Sequence, residues 1–260
     1  MLRGKAAVVT GSTSGIGLGI ASALAAQGAD LLINGFGEAT AIETLRQHLA
    51  REHGVKVAYS GADVSKPAQV HAMIEMATRE LGHVDILVNN AGIQHIAATQ
   101  EFPVDQWDAI IAINLSAVFH ATRAALPQML ARNWGRIINI ASVHGLVGSV
   151  DKVAYVASKH GVVGMTKVVG LETAHTGVTC NAICPGFVLT PLIQQQLDDV
   201  AARERVGPDE AKKRLLGAKQ PSLDFVTTDE LGALAVFLCS EAAGQIRGAA
   251  LPVDGAWLAQ

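Results

Sequence analysis

Seven short apolar runs punctuate the chain, at residues 6–9, 31–33, 55–59, 86–88, 137–140, 178–183 and 250–253. They are close to continuously apolar rather than alternating, the pattern of strands covered on both faces. Between them lie longer segments with apolar residues three and four apart. That spacing predicts helices over 16–27, 41–53, 67–81, 106–131, 153–173 and 228–239. Strands separated by helix-length crossovers predict an α/β fold, a Rossmann-type doubly wound seven-stranded parallel sheet with helices on both faces. One domain is expected over 1–260. The stretch from about 190 to 222 breaks the rhythm, being polar, charged and helix-prone with no strand soon after, and reads as a flap over a site.

Composition sharpens this picture. Half of the 260 residues are hydrophobic but only 4% are aromatic, and 26 are Gly, which suits an interior of Ala, Val, Ile and Leu with many turns. A formal charge of −3 leaves no basic footprint, so nucleic acid is not an expected partner. The N-terminus lacks the pattern of a signal peptide, and no run of roughly 18 uninterrupted apolar residues predicts a membrane span. Cys180, Cys184 and Cys239 lie in apolar segments and read as reduced packing residues, with a cytoplasmic location following most simply.

The first run ends in Thr10-Gly11-Ser12-Thr13-Ser14-Gly15-Ile16-Gly17, a glycine-rich turn opening onto a helix. Glycines permit tight turning and close backbone approach, and a helix N-terminus offers free N–H groups to a pyrophosphate. Further marks stand downstream: Asn89-Asn90-Ala91-Gly92 after the fourth run, Asn114 in the next helix, Ser142, Tyr155 and Lys159, then Pro185-Gly186 after the sixth. Together they resemble the short-chain dehydrogenase/reductase family along essentially the whole chain. The resemblance implies a dinucleotide held by Gly11, Thr13, Ser14, Gly15, Ile16, Gly17, Asn90, Ala91 and Gly92, with Pro185, Gly186, Val188 and Thr190 on the other flank. Asp63 and Val64 resemble the family's adenine-binding pair, and Phe36 is placed beside the adenosine. An acid at the end of the second strand usually marks NAD and a nearby Arg NADP. This chain reads Asn34-Gly35-Phe36-Gly37 there, and the first loop has no cation to pair with a 2′-phosphate, so NAD is expected.

Oxidation of a secondary alcohol requires a group to take the hydroxyl proton, the redox step being the cofactor's. Tyr155 is the candidate base, on the same helix face as Lys159 four residues on. A free phenol titrates near pH ~10, and a neighbouring ammonium and a positive nicotinamide ring would both favour the phenolate. Ser142 can hydrogen-bond the reacting oxygen. The resemblance adds that Lys159 reaches the nicotinamide ribose and that Asn114 anchors water in a proton relay.

Gln94, His144 and Lys152 are polar residues on loops that open toward this site. An anion entering a water-poor pocket needs charge-assisted partners, so the set suggests a small acid. With Gln196 on the flap and Trp257 near the C-terminus, they resemble the family members that oxidise (R)-3-hydroxybutyrate to acetoacetate, as do the strings at 89–95 and 219–223. Gln94, His144, Lys152 and Gln196 would hold the carboxylate, while Phe187, Leu192 and Trp257 confine the carbon chain. Two segments depart from that group: Phe187 and Leu189 replace Trp and Arg, and Ala256 replaces a second Gly before Trp257. A 3-oxoacyl thioester reductase and a non-catalytic dinucleotide sensor are the alternatives. The family implies a homotetramer through the two long central helices, where Ala154, Ala157, Gly161 and Gly164 allow close contact.

Overall fold

In a computed structural model, residues 1–217 and 219–260 are described, with all their side chains except those of residues 191 and 192. The strands are β1 (Ala6–Val9), β2 (Asp30–Asn34), β3 (Val57–Ser60), β4 (Ile86–Asn89), β5 (Gly135–Ile140), β6 (Val178–Pro185) and β7 (Ala250–Val253). The helices are α1 (Gly15–Ala26), α2 (Ala39–His53), α3 (Pro67–Leu81), α4 (Val104–Ile111), α5 (Ala117–Ala131), α6 (Val153–Glu172), α7 (Pro191–Glu204), α8 (Pro208–Gly217) and α9 (Thr228–Leu238). All strands are parallel, in the order β3-β2-β1-β4-β5-β6-β7. Val8 of β1 pairs with Leu32 on one side and Leu87 on the other, so the strand order reverses at β1. In such sheets the crevice beyond the strand ends at the reversal receives the ligand.

The core lies on both faces of the sheet. Ile20 and Leu24 of α1 and Leu231 of α9 pack with Val9 and Ile33, while Met73 and Ile74 of α3 and Met129 of α5 pack with Val8 and Leu32. Alternate residues of one strand thus feed opposite clusters, which is why the runs read as apolar throughout. Helix α1 meets α9 closely because both carry glycine at the crossing: a Cβ on Gly19 would run into Thr228, and one on Gly232 into Ala23. A reciprocal capping box between Thr227 and Glu230 starts α9 at that contact.

The helix predicted over 106–131 is two helices. A π-helical turn, Ala112–Ser116, separates α4 from α5. One extra residue per turn does not register in a periodicity averaged over many residues, yet such turns gather at functional sites, and this one carries Asn114. The combined segment Val104–Ala131 is long and apolar enough to cross a membrane by length and composition. Its buried residues, among them Ala117, Ala121, Ala125 and Met129, are instead part of the domain core. The stretch expected as a flap is a helical hairpin of α7 and α8 with its own small cluster of Leu197, Val200 and Ala211. Arg214 ties the two helices together through Glu204, at 2.5 Å, while also meeting Glu210 on its own helix at 2.9 Å.

Candidate active site

The C-terminal ends of β1, β4, β5 and β6 frame a cleft of about 580 Å³. At one end the glycine turn is built for close approach. Gly11 has φ +60°, and a Cβ there would stand 2.9 Å from the Cα of Ala91; Gly15 has φ +55° and opens α1. Ser14, the N-cap of α1, makes no side-chain capping bond, and the first turn of the helix holds no acid. The positive end of the helix is therefore free for an anion, and the residues present fit the pyrophosphate of a dinucleotide. Asn90 locks the turn by donating from Nδ2 to the carbonyls of Thr10 and Gly11, both at 2.9 Å.

Gly11, Thr13, Ser14, Gly15, Ile16, Phe36, Asp63, Val64, Asn90, Ala91, Gly92, Pro185, Gly186, Val188 and Thr190 all line this cleft. Gly17 does not. Its place is behind the turn, where a Cβ would collide with the Gly11 carbonyl oxygen and Asn90, so it serves packing rather than ligand contact. The lining also includes Asn34 and Gly35, which sequence reasoning weighed only as an absence of acid. Asn34 accepts from Gly11 N at 3.3 Å and donates to the carbonyls of Ser60 and Ala62 at 3.0 and 2.9 Å. Its carboxamide fastens β2 to the glycine turn and to the end of β3, which uses a neutral residue fully. At this end of the cleft the charged lining residue is Asp63, whose carboxyl is held below its usual range by the Ser65 hydroxyl and N–H.

At the other end stand Ser142, Tyr155 and Lys159. Ser142 follows β5, and its Oγ accepts from His144 N at 3.2 Å. Tyr155 and Lys159 lie one helical turn apart on α6. Lys159 Nζ donates to the carbonyl of Ile140 at 2.7 Å, and burial pushes its pKa down to about 8. Burial also moves the Tyr155 phenol, but upward, with only the hydrogen bond from Ser142 opposing it. The Lys159 ammonium sits 5.6 Å from the Tyr155 ring centroid, anchored on Ile140. Asn114 lies behind Gly92, 1% exposed, outside the lining. Its side chain accepts from Ile93 N and donates to Ile93 O, each at 2.9 Å, and reaches Ser158 Oγ at 3.3 Å.

Above Tyr155 the cleft is walled by Gln94, His144, Lys152, Phe187 and Trp257. His144 stands edge-on to Tyr155 and to Trp257, with ring centroids 6.2 and 5.4 Å away, and Trp257 tilts against Phe187 at 5.2 Å. Burial, then the charges of Lys152 and Lys219, push the His144 pKa down to about 4, and its Nδ1 has no partner among the described residues. Burial and then the charge of Lys219 lower the Lys152 pKa, and no carboxylate among the described residues pairs with it. Gln196 is half-buried on α7 and does not line the cleft; Ile193, which the sequence did not single out, does. The side chain of Leu192 lies outside the described residues. Further apolar lining comes from Ile113 and Val143, residues with no signal in sequence beyond lying after a strand or in a helix.

A seven-stranded parallel sheet with a glycine turn at one end of its switch-point cleft and a Ser-Tyr-Lys constellation at the other defines a nicotinamide dinucleotide-dependent oxidoreductase. Residues 5–201 match the model of the short chain dehydrogenase family, and the chain belongs to that family. It is 60% identical over 260 residues to a D-beta-hydroxybutyrate dehydrogenase of Cupriavidus necator, covering 100% of both chains. It is 47% identical over 256 residues to one of Rhizobium meliloti, covering 98% of this chain and 99% of the relative. Among solved structures, an actinorhodin polyketide ketoreductase with NADPH superposes with a TM-score of 0.90 at 38% identity, covering 99% of each chain.

Proposed function

We propose that this oxidoreductase reversibly converts (R)-3-hydroxybutyrate and NAD to acetoacetate and NADH. The observation that carries the reading is the lysine at the reacting end: Lys152 lines the cleft three residues before Tyr155 with no carboxylate paired to it among the described residues, and His144, whose Nδ1 has no partner among them, lines the same cleft. A half-buried cation without a counter-ion is held at a cost that an anionic ligand removes. The names of the two relatives agree with a 3-hydroxy acid. NAD is favoured because the lining of the adenosine end contains Asp63 and no cation, which disfavours a dianionic 2′-phosphate. The same observation argues against an NADPH-dependent thioester reductase.

The residues divide the chemistry as follows. Lys152, His144 and Gln94 hold the carboxylate, and Phe187 and Trp257 confine the four-carbon chain. Ser142 donates a hydrogen bond to the substrate oxygen and fixes the reacting carbon. Tyr155, as phenolate, takes the hydroxyl proton as the carbonyl forms. The nicotinamide, when bound, supplies the hydride acceptor. Protonated Lys159 steadies the phenolate, and Asn114, through its clasp on Ile93, sets the loop beside which the proton leaves for solvent.

A homotetramer formed through α5 and α6 completes the proposal, supported by exposed apolar side chains there: Phe119, Val168 and Leu171. Of the four small residues expected to face a second copy, Ala154 is buried within the chain and Gly161 packs against Leu115. Ala157 and Gly164 remain exposed. Sedimentation at micromolar concentration tests the assembly. The three cysteines are free and buried, with thiols pushed up to about 12, 11 and 12 for Cys180, Cys184 and Cys239, as suits packing residues in a cytoplasmic protein.

Initial rates with NAD and NADP, crossed with both enantiomers of 3-hydroxybutyrate and longer 3-hydroxy acids, test the function. The expected result is a preference for NAD and the (R)-enantiomer. Equal rates with an uncharged secondary alcohol would overturn the carboxylate assignment.

A further inference from the structure

Residues 219–223, Lys-Gln-Pro-Ser-Leu, stand out in the sequence, and the chemistry above uses none of them. They follow α8 as a tight turn bonded on three sides. Gln220 is fully buried, and its Oε1 accepts from Phe187 N at 2.8 Å while its Nε2 donates to the carbonyl of Asp224. Ser222 N donates to Gly255 O at 3.1 Å, and Gln260 reaches back to Lys219 O at 3.4 Å. The turn is thereby joined to both aromatic walls of the acid-binding end, the loop of Phe187 and the C-terminal turn of Trp257.

This anchoring fixes where Lys219 can reach. Its Nζ stands 5.4 Å from the centroid of the Trp257 ring, within the range of a cation–π contact. Trp257 in turn touches His144 edge-on. Among the described residues Lys219 forms no ion pair with a carboxylate. Lys219 and His144 therefore flank one indole, Lys152 lines the same cleft, and no carboxylate among the described residues pairs with either lysine. Burial first, and then neighbouring lysine charge that includes Lys219, drives both the Lys152 and His144 side chains toward their neutral forms. Such an arrangement is maintained at a cost in the free protein and is relieved by an anion between the cations.

We propose that Lys219 is a specificity-determining residue for the acid substrate, the second fixed cation of the carboxylate-binding end, held on Trp257 by the turn that Gln220 latches to Phe187. This rests on the reading that the substrate carries a carboxylate. Lys152 supplies the cation that lines the cleft, and Lys219, outside the lining, supplies a charge from behind Trp257.

The experiment compares (R)-3-hydroxybutyrate with its methyl ester in wild type, Lys219→Met and Lys219→Arg. Met keeps the aliphatic stem over the indole and removes the charge, whereas Arg keeps charge and stacking. The expected result is an acid-over-ester ratio of kcat/KM reduced about tenfold in Lys219→Met, carried by KM, and largely restored in Lys219→Arg. Parallel losses on acid and ester would show that the side chain only props Trp257, and would overturn the proposal. So would a ratio unchanged from a wild type that prefers the acid. A wild type with no such preference removes instead the carboxylate reading on which the proposal stands, so the two failures are distinct.

Discussion

Lys159 is bound to the carbonyl of Ile140, at 2.7 Å, and not to the phenol of Tyr155, whose ring centroid is 5.6 Å away. The ammonium therefore acts on Tyr155 through space, from a post that the backbone of β5 fixes. With its pKa pushed down to about 8 and that of the phenol pushed up, both by burial, the pair loses its protons at more widely separated pH values than free side chains would, the lysine first, in the protein without ligand. Oxidation should speed up as pH rises through the range where the phenolate forms. Replacing Lys159 with Ala removes the positive charge that favours the phenolate. The acid limb of the kcat/KM profile should then move up by about a unit or more, with activity falling roughly 10²- to 10⁴-fold. An unshifted limb in the variant would assign the titration elsewhere.

Tyr155→Phe keeps the ring between His144 and Lys159 and deletes the proton acceptor. Turnover should fall by about three orders of magnitude or more, whereas NAD binding, read by fluorescence titration, stays within about twofold. Appreciable residual turnover would mean that another group takes the proton.

Gly17 offers a test of the glycine turn that does not touch a ligand. A methyl group at this position has no room beside the Gly11 carbonyl and Asn90. Gly17→Ala should displace the turn at a cost of about 1–3 kcal/mol and weaken NAD binding by tenfold or more. The readouts are thermal unfolding and NAD titration. Intact affinity would show that the turn yields without loss.

How far this site could be read from sequence depends on what each residue does. Strand edges were legible where burial on both faces leaves only apolar residues, as in β1, whose four residues are all buried. Tyr155, Lys159 and Ser142 were legible because the chemistry demands those functional groups at helical or loop spacing. Asn114 was named but its setting was hidden, since a single π turn between α4 and α5 leaves no periodic trace. Asn34 looked like a missing acid because its bonds to Gly11, Ser60 and Ala62 are made across three chain segments. Gly17 and Gly11 look alike in sequence, and only the packing separates them. Lys219 lies 67 positions beyond Lys152 in the chain, and nothing in the sequence between them signals that it stands over Trp257, whose ring meets His144.

His144 makes stability depend on acid. In the folded protein its pKa is about 4, below the ordinary 6.5 of an exposed imidazole. As pH falls below 6.5 the unfolded chain takes up a proton that the folded chain refuses, so the contribution is fully present above that value and is lost toward pH 4. The loss is on the order of 3 kcal/mol. His144→Gln should flatten the difference between urea-unfolding free energies measured at pH 7 and pH 4.5. Equal pH dependence in variant and wild type would show that other groups govern it.

Ala256 occupies a conformation that suits the glycine expected there. Its φ is +71° and ψ +20°, in the left-handed region, where a Cβ crowds the backbone. The residue is held in place by Asp254, whose Oδ1 accepts from Ala256 N at 3.1 Å and whose Oδ2 accepts from Leu258 N at 3.0 Å, folding the short turn that carries Trp257. The left-handed conformation costs an L-residue about 1–2 kcal/mol, against which glycine loses somewhat more backbone entropy on folding. Ala256→Gly should therefore gain up to about 1 kcal/mol, seen as a rise in Tm of about 2–4 °C for a chain of this size. Because the strained residue adjoins Trp257, the relaxed turn should also leave KM for the acid within about twofold if Asp254 alone sets the indole. A large rise in KM together with a higher Tm would instead show that the strain at Ala256 holds Trp257 against His144 and Phe187.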